Sequence, residues 1–304
     1  MKRRSRALLV FLTILMICLG GKALAQAPNE ANVHYGEHKF QILDFWKASS
    51  DTPTPVLIFF HGGGFVKGDK SLVNLQKRGL QYGISAVSAT YRMVSDADVS
   101  IREVMMDGAR VIQFVRSKAT EWNIDPARIA LTGGSAGAVM SVWLALHDDL
   151  ADPNSADPIL RHSTRVKTVI ASNAATTIDP RYIVKHIGGR DWVHPSGPMM
   201  FKVNSLEELD KPEIRRVIEE YSAINHTTRD DPPLMLLYDT SPPNEPYPAS
   251  KRVDTVVHSA TFGLKLKEKL DPLGVECIVA WGGNPPPESP FAFLRRHLKA
   301  PREK

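Results

Sequence analysis

Short runs dominated by apolar residues punctuate the chain at 56–60, 84–90, 128–132, 166–171, 234–238 and 277–281. Unbroken runs of this length predict strands buried on both faces. Residues 41–46 alternate instead, as a half-buried strand does. Between the runs the period changes. Ser100 and Glu103 form a capping box, and behind it Ile101, Val104, Met105, Gly108, Val111, Ile112 and Val115 fall on one helical face. Residues 138–146, 261–270 and 291–298 also read as helices. Residues 26–40 read as a polar lead-in. Strands alternating with helices predict a mostly parallel sheet covered on both faces, an α/β fold in a single domain. The stretch 187–231 breaks the rhythm. It is rich in Pro, Met and charge, and is expected to form a small cap insertion above the strand ends.

Two motifs stand where strands end. Gly133-Gly134-Ser135-Ala136-Gly137 fits G-x-S-x-G between a predicted strand and a predicted helix. The pattern serves a sharp turn that holds the serine in a strained conformation with its Oγ exposed, while small neighbours let the turn close. A glycine-rich turn could instead bind phosphate or only pack, but a second motif weighs against that. Phe60 runs directly into His61-Gly62-Gly63-Gly64. There the N–H groups of Gly63 and Gly64 can point into open space and, with the N–H of Ala136, form an oxyanion hole. His61 is expected to hold this loop in shape, because it lies on the oxyanion side of the serine.

Composition changes this picture little. Hydrophobic residues make up 43% and charged residues 23% of 304, which is ordinary for a globular protein. The formal charge of +5 has a local source. Lys2, Arg3, Arg4, Arg6 and Lys22 hold five of the 38 basic residues, and the first 25 positions contain no acid. Without them 33 basic residues face 33 acidic ones, so charge suggests no nucleic-acid partner. The same segment reads as a signal peptide, with a basic start, an apolar run from Ala7 to Leu19, and Ala23-Leu24-Ala25 before Gln26. The expectation is a secreted or periplasmic protein beginning near Gln26, with no integral membrane span after cleavage. Ile17 before Cys18 argues against lipid attachment. Cys277 alone would remain, so no internal disulfide is expected.

The sequence resembles the hormone-sensitive-lipase-like and bacterial feruloyl- and acetyl-esterase-like branch of the α/β hydrolases. Phe60 to Phe65, then Tyr91-Arg92, then Asp125-Pro126-Ala127-Arg128-Ile129 leading into the elbow match in order and spacing. The match is good over residues 33–175 and weak beyond about 190. The resemblance implies an α/β-hydrolase fold and carboxyl-ester hydrolysis by a Ser-His-acid triad, without metal or organic cofactor. It makes Ser135 the nucleophile and Gly63, Gly64 and Ala136 the oxyanion donors.

It also exposes a gap. In this family the acid follows a late strand and the histidine follows the last one. The loop after 234–238 reads Asp239-Thr240-Ser241-Pro242-Pro243-Asn244-Glu245. Asn244 or Glu245 fits the acid's position better than Asp239, yet Asn244 could not neutralise an imidazolium. Glu245 is the candidate acid, with solvated-loop roles for all three left open. The loop after 277–281, Gly282 to Ser289, has no histidine. His258, expected to open the helix before the last strand, is the leading candidate base. His297 in the last helix and His186, His194 and His226 in or near the insertion are the others. Two readings follow. One is a serine hydrolase acting on a small acyl ester or acylated glycan. The other is a pseudoenzyme that binds a carbohydrate or ester ligand.

Overall fold

The computed structural model describes residues 26–191 and 194–299. The expected signal segment lies outside them. Eight strands form one sheet: β1 (Glu30–His34), β2 (Ile42–Trp46), β3 (Thr54–Phe60), β4 (Ser85–Ala89), β5 (Ile124–Gly134), β6 (Thr168–Ser172), β7 (Leu234–Tyr238) and β8 (Cys277–Trp281). Their spatial order is β1-β2-β4-β3-β5-β6-β7-β8. β1 and β2 run antiparallel to their neighbours, and β3 to β8 are parallel. Every apolar run produced its strand, within a few residues at the ends. The lead-in is corrected: residues 30–34 pair with β2 as an edge strand. An edge strand with an exposed face carries no apolar run, so its pattern is silent.

Both faces of the sheet are covered because successive side chains of a strand point opposite ways. Leu57, Ala130, Ile170 and Met235 pack on Phe291, Phe293 and Leu294 of the helix Pro290–His297. Val56, Ile58, Phe60 and Leu131 belong to the larger core, with Val104, Val111 and Ile112 of Ile101–Ser117 and Met140 of Ala136–Leu146. The capping box at Ser100 forms as expected, with the Ser100 N–H donating to Glu103 Oε2 at 2.9 Å. Cys277 is free and buried, and burial pushes its thiol up to about 12.

Between β6 and β7 the chain leaves the sheet. It builds the helices Pro180–His186, Gly197–Phe201 and Pro212–Glu220 with short 3-10 turns. Each helix has proline in its first turn, where the missing N–H costs nothing. Met200, Phe201, Val203, Leu209 and Ile218 are buried and continuous with the main core. Two further helices, Val253–Val257 and Thr261–Leu270, lead to β8. Among the described residues no helix is long and apolar enough to cross a membrane.

The strand order sets the place of the site. After β3 the chain crosses to β4 on one side, and after β4 it crosses back over β3 to β5 on the other. Where consecutive connections part in this way, a crevice opens beyond the strands' carboxyl ends. Both sequence motifs end there, since Phe60 of β3 pairs with Gly133 of β5.

Candidate active site

Ser135 closes β5 and caps the helix Ala136–Leu146, with φ 51° and ψ −116°. A non-glycine residue at positive φ in this region stores about 1–3 kcal/mol of strain. The surroundings hold it there. Its N–H donates to Ser172 O of β6 at 2.8 Å, and its C=O accepts from Val139 N at 2.9 Å. The flanking glycines are steric requirements. A Cβ on Gly137 would land on the Phe60 carbonyl, and one on Gly133 would land on Gly137.

The His61–Gly64 loop lies against this elbow. A Cβ on Gly62 would touch the Gly134 carbonyl and approach Ser135 Cβ. Gly63 and Gly64 turn at φ 109° and 63°. The turn is locked by Val66 N and Lys67 N, which both donate to Gly63 O. Among the described residues nothing accepts from the N–H of Gly63 or Gly64. The N–H of Ala136 opens its helix and has no intrahelical partner. Gly64, Ser135 and Ala136 line one cleft. His61 is a framework residue. Its ring stacks on Tyr91 at 4.2 Å, its Nδ1 lies 2.8 Å from Gly62 O, and Tyr91 Oη donates to His61 O at 2.5 Å. Burial lowers its pKa from the ordinary 6.5.

The structure brings one of the five candidate histidines to the serine. His258 Nε2 lies 3.1 Å from Ser135 Oγ. It does not open a helix, as the sequence suggested. It follows Val253–Val257 and precedes Thr261–Leu270. Two ties set its place. Its N–H reaches Asp254 O at 3.2 Å, and two residues on Ala260 N donates to Thr240 O at 2.9 Å. A Thr240–Ser259 bridge thus joins the loop after β7 to the histidine's own link. Burial lowers the pKa of His258 below 6.5, and the charges of Asp254 and Asp239 act against that shift. The ring is therefore held toward its neutral form, the one able to accept a proton.

The carboxylate side differs from expectation. Glu245 is exposed and bonded to nothing near His258. The loop after β7 closes on residues 259–260 at Thr240, so residues 244–245 lie past that closure and turn outward with Asn244 also exposed. Asp239 sits at the end of β7, locked to Asn173 at the end of β6. Asn173 Nδ2 donates to its Oδ2 at 2.6 Å, and its own N–H donates to Asn173 Oδ1 at 2.9 Å. Asp254 is mostly solvated and pairs loosely with Arg252. Among the described residues no carboxylate hydrogen-bonds His258.

The other histidines lie elsewhere or serve otherwise. His297 packs on Phe293 and faces Glu276 at 3.1 Å. His186 packs against Tyr182, with the rings tilted at 40°. His226 lies beside His147. His194 lines the cleft, its ring against Gly64 and its Nδ1 2.6 Å from Ser196 Oγ. Burial, then the neighbouring His258, lowers its pKa. Neither the Asn173–Asp239 lock nor the contact of His194 with Gly64 has a signature in sequence spacing. Most of the remaining lining is apolar, with Phe65, Val139, Ile178, Ile183, Met200 and Val257, and Asn173, Thr177 and Ser196 add polar groups.

A mostly parallel eight-stranded sheet, with a strained serine on a strand–turn–helix elbow at the switch point, defines the α/β-hydrolase fold. The BD-FAE family model matches residues 43–256, and the chain belongs to the BD-FAE family. Esterase LipC of Mycobacterium tuberculosis (strain ATCC 25618 / H37Rv) is 26% identical over 217 residues, 68% of this chain and 49% of LipC. The probable isoprenylcysteine alpha-carbonyl methylesterase ICMEL1 of Arabidopsis thaliana is 22% identical over 222 residues, 72% of this chain and 45% of that protein. The chain spans about half the length of these curated relatives. An acetyl ester-xyloside bifunctional hydrolase from Caldicellulosiruptor lactoaceticus superposes with a TM-score of 0.64 at 19% identity, over 84% of this chain and 86% of that one. At that identity the likeness concerns the fold.

Proposed function

We propose that this protein is an exported serine hydrolase that cleaves small carboxylic acyl esters, with acylated polysaccharide as its substrate class. The observation that carries the reading is the 3.1 Å approach of His258 Nε2 to Ser135 Oγ. In the proposed cycle His258 takes the serine proton as Oγ attacks the ester carbonyl. The oxyanion sits among the N–H groups of Gly63, Gly64 and Ala136 at the positive end of the Ala136–Leu146 helix. His258 then returns the proton to the leaving alcohol, and a water repeats the sequence on the acyl-enzyme. The acyl group occupies the apolar cleft, and residues 187–231 act as a cap over it. Names of relatives support esters as the substrate: LipC is an esterase, and the Caldicellulosiruptor protein is an acetyl ester-xyloside hydrolase. That no carboxylate among the described residues hydrogen-bonds His258 favours the second reading, a binding protein that keeps the pocket.

Fluorophosphonate labelling separates the two, because it requires an activated serine. The expected result is one adduct on Ser135, lost in His258→Ala, together with hydrolysis of p-nitrophenyl acetate. No labelling and no turnover of any acyl ester, with the fold intact, would establish the binding reading instead.

A further inference from the structure

We propose that His147, Glu220 and His226 form a binding site for a transition-metal dication of the zinc class, remote from the serine. One ligating atom from each lies within 4.8 Å of the others. Two imidazoles and a carboxylate are the donor set that zinc accepts, and softer or harder metals prefer other donors. The spacing in sequence hides the site, since 73 residues separate His147 from Glu220.

The hydrogen bonds argue for a cation more strongly than proximity does. His147 Nδ1 lies 2.9 Å from Asp148 O. A carbonyl only accepts, so Nδ1 carries the proton there. In the neutral ring Nε2 then holds a lone pair, yet it lies 2.9 Å from Glu220 Oε1, a second acceptor. Two acceptors at that distance need a positive centre at the contact, either an added proton or a metal. His226 is tethered in the same manner, with Nε2 2.6 Å from Glu220 O. Donation there leaves Nδ1 as its lone-pair nitrogen. Each ring thus spends one N–H on a main-chain carbonyl, which leaves its second nitrogen with a lone pair for a ligand role, the arrangement found in metal-bound histidines.

The frame is built before any ion arrives. Glu220 O also accepts from Trp143 Nε1 at 2.8 Å, and His147 N donates to Trp143 O at 2.9 Å. The rings of His147 and His226 are 4.8 Å apart. The His147 side chain is 12% exposed and that of Glu220 46%, so an ion has an entry path and room for water as a further ligand. The position predicts the consequence. His147 follows the helix that begins after Ser135, whose eleven residues put the site roughly 16 Å from the serine. Glu220 and His226 belong to the chain between β6 and β7. The ion would clasp that segment to the far end of the nucleophile helix, raising thermal stability and leaving the chemistry alone.

The test uses the full exported chain, freed of any affinity tag and dialysed against chelator. ZnCl2 is titrated by calorimetry and thermal unfolding. The expected result is one site per chain and a raised Tm. His147→Ala, His226→Ala and Glu220→Gln should each weaken binding by about tenfold or more. Glu220→Gln keeps the backbone carbonyl and serves if a histidine variant fails to fold. Three outcomes would overturn the proposal. The first is no binding by 1 mM zinc, meaning that a proton alone holds the pair. The second is unchanged affinity in all three variants, placing any zinc elsewhere. The third is zinc that binds but is lost in His194→Ala or His258→Ala, assigning it to the cleft.

Discussion

The two sides of the cleft are held by different means. On the serine side the constraint is the backbone. Ser135 is pinned at positive φ between β5 and its helix, Gly137 meets the Phe60 carbonyl, and Gly133 meets Gly137. The contacts that set Ser135 come from β3, β5 and β6. On the histidine side the constraint is a chain of ties between loops. His258 hangs on a link between two short helices, and the Thr240–Ser259 bridge joins that link to the end of β7. The serine side is sterically over-determined. The histidine side is half-buried and held by a few hydrogen bonds. Damage to the first should therefore appear as lost folding, and damage to the second as lost rate in a folded protein.

The largest expected effect concerns the hydrogen bond between the two sides, His258 Nε2 to Ser135 Oγ. Ser135→Ala and His258→Ala should each lower kcat for a short aryl ester by on the order of a millionfold, and the double variant should be no worse than either. Activity in His258→Ala within tenfold of the parent would remove the histidine from the mechanism.

Next, Gly137→Ala should cost about 3 kcal/mol or more of stability in urea unfolding, because a methyl group there displaces the Phe60 carbonyl. Ser259→Ala, on the other side, should cost only about 1 kcal/mol. Equal losses in the two variants would erase the proposed distinction.

A third effect sharpens the carboxylate question. Asp239→Asn should lower kcat, since the charge of Asp239 favours the imidazolium form of His258. Glu245→Gln, at an exposed position, should change kcat less than about twofold. The reverse ranking, read from kcat at pH 8, would restore Glu245 as the acid.

The smallest effect is in pH dependence. His258 is held below 6.5 mainly by burial, so the acid limb of kcat/KM should have its midpoint below 6.5. Stability should move in the same window. His61, His194 and His258 all bind protons less readily folded than unfolded. The unfolded chain therefore takes up protons first as pH falls, so stability is full above about 6.5 and declines below it. An acid limb centred above 6.5 would contradict the burial of His258.

Legibility in sequence follows the same divide. The strands of the sheet's centre were readable because burial on both faces demands apolar runs. The elbow and the glycine loop were readable because steric demands confine them to small residues at fixed spacing. Glu30–His34 was not, because an edge strand with a wet face has no such demand. His258 is legible from its position before the last strand, but its place in a link between two helices is not. Position in the sequence points to Glu245, but the path of its loop depends on the closure of Thr240 against Ser259–Ala260. That closure is a contact between two distant segments, and no local pattern records it. The Asn173–Asp239 lock escaped for the same reason.

The loop after β8, residues 282–289, is mostly exposed and carries none of the groups that meet in the cleft. With His258, the base of the proposed mechanism, on the link before Thr261–Leu270, that mechanism asks nothing of this turn. It is therefore a site for grafting. A foreign segment inserted among Pro285, Pro286 and Pro287, such as a carbohydrate-binding module or an immobilisation tag, would leave the cleft untouched while giving the chain a new attachment point. Evolution could use the same opening, lengthening a loop that elsewhere in this architecture must stay fixed.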